Sequence, residues 1–148
     1  AAVRSASAGD DQPTRPASVV DPERDEMERR LIAKLDSAGQ LRPGYLVRAA
    51  REGRISLFEN ALAVLGGYSV QAVRKAVSAP DAELLALACA SVAIDRAVFP
   101  SMLAEIRIRS GGYPGMAKPD ASALRLFDQG PDAAARVFRH AIDQAGIA

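Results

Sequence analysis

The sequence predicts an all-α protein, a compact bundle of about six to seven helices in stacked antiparallel hairpins, HEAT-like or bundle-like. Segment after segment carries apolar residues three and four positions apart, which is the spacing of one helix face. No stretch alternates apolar and polar residues convincingly, as a half-buried strand would. Aromatic residues make up only 5% of the chain and Trp is absent, so we expect a core of small aliphatic residues. Such side chains favour close packing of helices.

One domain accounts for the chain, because 148 residues can bury a single hydrophobic core. Residues 1–20 mix Ala, Ser, Pro and charges without periodicity, which predicts a flexible N-terminal tail. We expect a single helical domain over residues 21–148. The net charge of +1 gives no indication of a surface dedicated to nucleic acid, and no apolar run reaches the length of a membrane-spanning helix.

The first helix is predicted to begin at Asp21-Pro22-Glu23, because Asp caps helices, Pro suits the first position and an acid is favourable nearby. Gly39 ends this helix. Its apolar residues share one face that we expect to pack inward, and they are Met27, Leu31, Ile32 and Leu35. Its acidic residues, Asp25 among them, are expected at the helix start or on the polar face.

Glycine and proline residues delimit the next three helices. The second helix is predicted between Pro43 and Gly53. The third is predicted over residues 55–65, where Gly66-Gly67 breaks it. Ser69 can cap a fourth helix. These short helices follow one another closely, as helical hairpins do.

The fifth helix is predicted to be the buried centre of the molecule. It opens at Pro80-Asp81 and is nearly all apolar through LLALACASVAI, residues 84–94. A sixth helix is predicted to have Pro100 in its first turn, with Arg107 and Arg109 in solvent.

The C-terminal part of the chain is predicted to contain the longest loop and the last helix. Residues 110–120 are rich in turn formers, which indicates a loop. A short segment near 121–128 and a last helix over about 131–145 complete the fold. An exposed apolar face on this last helix would allow a homodimer.

The sequence supplies few residues for catalysis or metal binding. His140 is the only histidine and Cys89 the only cysteine, so zinc sites and most nucleophilic mechanisms lack ligands or partners. Cys89 lies within an apolar helix, where a thiol is unreactive. An exposed His140 could accept a phosphoryl group, although nothing else supports that role. We expect no catalytic, cofactor-binding or metal-binding residues, and hence no enzyme.

Residues 59–78, ENALAVLGGYSVQAVRKAVS, match a helix-turn-helix. Ala63 is small where two helices would cross, Gly67 suits a left-handed turn, and Val73 occupies the apolar position of the second helix. Three residues of that helix would then face a DNA major groove, namely Gln71, Arg74 and Lys75. Any helical hairpin with a tight glycine turn gives a similar pattern, and the chain is nearly neutral. DNA reading is therefore the alternative hypothesis.

Arginines on neighbouring helices suggest a second kind of surface. One basic face could contain Arg48, Arg51, Arg54, Arg74 and Lys75. The acidic residues interleaved with them favour an ordinary solvated surface over a binding face, and they are Glu52, Glu59 and Glu83. We take Arg48, Arg51 and Arg54 as candidate residues for binding a protein partner.

Three segments resemble an alphaproteobacterial group, the "domain of unknown function 2336" proteins. They are LVRAAREGRISLFENALAVLGGYSVQAVRKAV (46–77), LLALACASVAI (84–94) and VFPSMLAEI (98–106). The resemblance covers residues about 40–110, and its most specific part is the Gly-Arg hinge followed by Phe-Glu-x-Ala-Leu-Ala. It implies helical hairpins similar to HEAT units and a bacterial cytosolic origin, and it implies no activity or catalytic residue.

These observations predict a non-enzymatic bacterial module that binds another protein in a regulatory or scaffold role, with the partner unidentified. Stacked helix pairs leave grooves that accept helices of a partner. The alternative is a DNA-binding regulator that uses residues 59–78. We expect a cytoplasmic location, no cofactor and no membrane partner.

Overall fold

The computed structural model describes residues 21–146, and over this range it is all-helical, which confirms the predicted class. The predicted N-terminal tail, residues 1–20, lies outside the described residues. The α-helices within that range are α1 (Pro22–Ser37), α2 (Pro43–Arg51), α3 (Ile55–Gly66), α4 (Val70–Val77), α5 (Glu83–Ser91), α6 (Phe99–Arg109), α7 (Asp120–Arg125) and α8 (Pro131–Gln144). A 3-10 helix, Leu126–Gln129, follows α7. The helix count exceeds the prediction because the short segment near 121–128 forms α7 and this additional turn.

The predicted capping residues bound the helices. The Asp21 carboxylate accepts hydrogen bonds from the backbone N–H groups of Glu23 and Arg24 at 3.0 and 3.4 Å, which begins α1. Gly67 ends α3 with φ at +73°, a conformation that favours glycine. The Ser69 hydroxyl accepts from the Ala72 N–H at 3.1 Å and starts α4. The turn between α3 and α4 therefore forms where the sequence predicts it.

Helix α5 is the centre of the core, as predicted. Its residues 85–90 are all buried, and this helix packs against α3, α4, α7, α8 and the 3-10 helix. Alternate positions in this stretch are alanines, which allow neighbouring helices to approach on more than one side. Because α5 is buried all round, it has no free face for a partner.

The remaining helices form a closed arrangement around this centre. Helix α3 packs against α1, α2 and α4, and α2 also packs against α6. Successive helices are neighbours from α2 to α5, as in consecutive hairpins, whereas α8 returns to pack on α5. The bundle is therefore compact, and α1 is attached to it chiefly through α3.

Helix α1 differs from its prediction in which side faces the core. Ile32 is buried and Leu35 is partly buried, but Met27 is 67% exposed and Leu31 is 40% exposed. The face that packs on α3 instead contains Asp25, which is buried. The prediction is therefore correct for Ile32 and Leu35 and wrong for Met27 and Leu31. The buried stripe of α1 runs through Asp25 and Ile32, which leaves Met27 and Leu31 on its flank.

The predicted loop over residues 110–120 is held in place by Arg107. The Arg107 guanidinium donates to the backbone carbonyls of Pro114 and Gly115 at 2.7 and 2.9 Å, and to the Asp120 carboxylate at 2.8 and 3.0 Å. Its side chain is only 13% exposed, so the expectation that Arg107 lies in solvent is wrong. Arg109 is exposed as predicted. An arginine supplies five donors in a fixed plane, which explains how one side chain organises a whole loop.

Candidate interaction site

Arg74, a candidate DNA-reading residue, lies in a buried ionic cluster between α1, α3 and α4. We define this cluster as Asp25, Glu59, Asn60 and Arg74. The Arg74 guanidinium donates to Asp25 Oδ1 at 2.7 Å and to Glu59 Oε1 at 3.2 Å. The Asn60 amide donates to the same Asp25 oxygen at 3.0 Å. The side chains of Asp25 and Glu59 are 10% and 4% exposed, so the expectation that both carboxylates lie on solvated faces is wrong.

The electrostatics of the cluster keep its charges paired. The hydrogen bond from Asn60 and the adjacent Arg74 guanidinium hold the pKa of Asp25 below its ordinary value, although burial opposes them. Burial also disfavours the charge on Arg74, but the hydrogen bond to Asp25 and the negative charge of Glu59 raise its pKa. Arg74 therefore joins α1 to α3 and α4 as an ion-paired arginine.

The other two residues of the DNA hypothesis, Gln71 and Lys75, are exposed on α4. The turn that precedes α4 is covered by the C-terminal helix α8. The Arg139 guanidinium donates to the Gly66 carbonyl at 3.0 Å, and its carbon lies 5.0 Å from the centre of the Tyr68 ring. Residues 59–78 thus form the end of α3, a glycine turn and α4, but of the three candidate DNA-reading residues only Gln71 and Lys75 are exposed, whereas Arg74 is held in ion pairs.

The candidate partner-binding arginines, Arg48, Arg51 and Arg54, are all exposed, but they do not form one cluster. Arg48 and Arg54 border the same depression of about 100 Å³, together with Glu52. The Arg51 guanidinium instead donates to the Ser101 hydroxyl on α6 at 3.2 Å. The structure brings two of the three together and directs the third to another helix.

A larger groove of about 680 Å³ lies between α1 and the start of α3, and we call it the α1 groove. Its basic lining residues are Arg24, Arg30, Lys34 and Arg54. Its apolar lining residues are Met27, Leu31 and Ile55. One carboxylate, Glu28, also lines it and accepts a hydrogen bond from the Ser56 hydroxyl. The groove combines an apolar floor with a cationic rim.

The charge of this rim is largely uncompensated. Arg30 pairs with Glu26 at 3.2 Å. Within residues 21–146, Arg24, Lys34 and Arg54 make no ion pair. The groove was not predicted, because Met27 and Leu31 were expected to lie in the core. The signal that was available is the spacing of Arg24, Met27, Leu31 and Lys34, which places all four on one stripe of a helix.

Cys89 and His140 occupy very different positions. Cys89 is fully buried, and burial raises the pKa of its thiol far above the ordinary range. His140 is exposed on α8. Within residues 21–146, no three His, Cys, Asp or Glu side chains come together as a metal site would need. None of the helices in this same range has the length and apolar character to span a membrane.

The sequence was also compared with known proteins. Searches of curated proteins and of solved structures return no match. A family model described as "Uncharacterised protein conserved in bacteria (DUF2336)" matches residues 2–140, a longer stretch than the resemblance over 40–110 had indicated. The chain therefore belongs to this bacterial family, DUF2336.

Proposed function

We propose that this chain is a non-enzymatic, cytoplasmic interaction module with a regulatory or scaffold role, and that it binds another protein through the α1 groove. The observation that carries the proposal is the exposure of Met27 and Leu31 between cationic side chains. Arg54 also lines this groove, which links the proposal to the arginines singled out in the sequence.

The composition of the groove supports the proposal that it binds a protein. Exposed apolar side chains that adjoin one another gain free energy when a partner removes them from water, at about 25 cal/mol per Å². Met and Arg are enriched at protein interfaces, where an apolar centre is surrounded by a polar rim. The α1 groove has both parts, because Met27 and Leu31 lie between Arg24 and Lys34 along the helix.

Photo-crosslinking in bacterial cells tests this proposal. A benzophenone amino acid replaces Leu31 in the groove or, as a matched control, Ile108 on α6, which is apolar and 72% exposed outside the groove. We expect a discrete crosslinked protein from position 31 that is lost when Met27 is changed to Gln, and no such product from position 108. Equal crosslinking from both positions, or no product at 31, would contradict the proposal.

The alternative function, DNA binding through residues 59–78, is favoured by one observation. Gln71 and Lys75 are exposed on a helix that follows a left-handed glycine turn at Gly67. The test is binding to genomic fragments at low salt, where a DNA reader shows affinity that falls steeply as salt rises. Replacing both Gln71 and Lys75 by Ala leaves the ionic cluster intact and should abolish that binding. Absence of binding at low salt would dispose of this alternative.

A further inference from the structure

We propose that the occupant of the α1 groove is an acidic amphipathic helix of about three turns, supplied by a different protein. This inference rests on the proposed function and specifies the chemistry of the partner. The observations that carry it are the order of side chains along α1, the net charge of the groove and the charges beside the other exposed apolar residues.

The order of side chains sets the length and pattern of the occupant. Along one stripe of α1 the residues are a cation, two apolar residues and a cation, namely Arg24, Met27, Leu31 and Lys34. At 1.5 Å per residue, the ten steps from Arg24 to Lys34 span about 15 Å, or nearly three helical turns. A helix that matches this stripe has two apolar residues, three or four positions apart, in the middle of its binding face. It carries a carboxylate at each end of that face.

The charge of the groove requires an acidic occupant. Four cations and one carboxylate line the groove, and the carboxylate, Glu28, accepts a hydrogen bond from Ser56. A basic or neutral helix would leave Arg24, Lys34 and Arg54 without counter-charges at the rim. Complementary charges at a rim increase the association rate and exclude wrong partners. Positive charge around apolar side chains therefore selects a helix with Asp or Glu beside its apolar face.

A second copy of this chain fits the groove poorly. Two α1 helices placed face to face would bring like charges together at Arg24 and Lys34. The exposed apolar side chains on two other helices, Ile108 and Val137, are each adjacent in sequence to an arginine. Glu105, three positions before Ile108, already pairs with Arg109 at 3.4 Å, and Val137 is a single large exposed apolar residue between Asp132 and Asp143. Val64 is exposed on α3, but the carboxylate of that helix, Glu59, is buried. None of these helices offers two large exposed apolar residues between two carboxylates, so the partner is expected to be another protein.

Peptide binding to the full chain tests this inference. The probe is a synthetic twelve-residue amphipathic helix with apolar residues at positions 5 and 9 and Glu at positions 2 and 12, which repeats the spacing of the α1 stripe. The comparison peptide carries Lys at positions 2 and 12. Fluorescence anisotropy measures both affinities. We expect the acidic peptide to bind at least about tenfold more tightly than the basic one, because two rim ion pairs are replaced by repulsions.

A pair of charge-matched double variants locates the binding site. Arg24→Glu with Lys34→Glu reverses the charge at both ends of the α1 stripe. Arg125→Glu with Arg136→Glu makes the same change in net charge at exposed residues outside the groove. We expect the first double variant to weaken acidic-peptide binding about tenfold or more and the second to change it less than twofold. All four positions are exposed, so circular dichroism and thermal unfolding should show that both variants fold.

Each other outcome overturns the inference in a recognisable way. Equal binding of the acidic and basic peptides, or equal losses in the two double variants, rules out an acidic helix in this groove. Crosslinks from position 31 to residues 1–20 of the same chain, or to a second copy, identify a different occupant. If position 31 still captures a specific partner in cells while the acidic peptide does not bind, the proposed function stands and only the chemistry of the partner is wrong.

Discussion

Replacing Arg74 by Met tests the role of the buried ionic cluster. Methionine keeps much of the length and apolar volume of the arginine stem but removes the charge, so Asp25 and Glu59 lose their shared cation. These two carboxylates are 10% and 4% exposed, and little water can compensate them. Removing one partner of a fully buried ion pair costs about 3–5 kcal/mol. Asp25 keeps the Asn60 amide at 3.0 Å and the Arg29 guanidinium at 3.8 Å, which reduces this cost.

The expected loss for Arg74→Met lies at the lower end of that range. The Arg74 side chain is 20% exposed, so solvent already weakens its ion pairs to some extent. Arg74→Met also removes the hydrogen bonds from Arg74 to Asp25 and Glu59, and the lower limit of about 1.5 kcal/mol for each such bond to a charged group gives a similar loss. We expect the free energy of unfolding to fall by about 3 kcal/mol, which is a large part of the roughly 5–15 kcal/mol that stabilises a typical domain.

Urea denaturation at pH 7, followed by circular dichroism, measures this change through the midpoint and the slope. Lys75→Met is the matched control, because Lys75 is the exposed neighbour on α4, and a change within about 0.5 kcal/mol is expected there. Combining Arg74→Met with Asp25→Asn should cost less than the sum of the two single changes, since both remove the same contact. A loss below about 1 kcal/mol for Arg74→Met, or strict additivity, would refute the reasoning.

Two further predictions concern Asp120 and Ala93. Asp120→Asn weakens the bidentate contact with Arg107, and because the Asp120 side chain is 37% exposed we expect a loss of only about 1 kcal/mol at pH 7 by urea denaturation. The hydrogen bond from Arg107 lowers the pKa of Asp120 in the folded chain. The difference in the free energy of unfolding between wild type and Asp120→Asn should therefore be fully present above the ordinary pKa of 3.8 and should disappear as the pH falls through the lower pKa of the folded chain. A difference that does not change with pH would contradict this. Ala93 has φ at +66°, a backbone conformation that costs L-residues about 1–2 kcal/mol and glycine much less. Ala93→Gly should therefore raise the melting temperature by a few degrees, although glycine increases the entropy of the unfolded chain. A lower melting temperature would contradict this expectation.

The helix boundaries and the buried centre follow from short-range signals, which explains why they could be predicted. Asp21, Gly67 and Ser69 act on the backbone within a few residues of their own positions. The apolar helix α5 had to be central because no face of it is polar. Such features need no knowledge of which helices become neighbours.

Two of the features missed by sequence reasoning, the ionic cluster and the α1 groove, depend on how α1 meets the rest of the bundle. A rule that buries apolar residues and exposes charged ones assigns Met27 to the core and Asp25 to solvent. Asp25 is buried where Asn60 and Arg74, which are 35 and 49 positions away in sequence, supply its two closest donors, whereas its local partner Arg29 lies farther off at 3.8 Å. Such a distant partnership has no signature in the local pattern, so the inward face of α1 was placed wrongly.

The same rotation of α1 links the ionic cluster to the groove. Because the buried stripe is anchored by Asp25 to Arg74, Met27 and Leu31 are held on the flank of α1 above the start of α3. The buried Ile32 and the partly buried Leu35 lie on the same side of α1 as Asp25 and support this orientation. The ion pairs of Arg74 therefore keep it from contacting DNA, and the same ion pairs help to fix the orientation of α1, the helix that carries the groove. A DNA contact by Arg74 would require α1 to leave α3 and α4, and the groove would then cease to exist, so any DNA binding that coexists with the groove has to use Gln71 and Lys75 without Arg74.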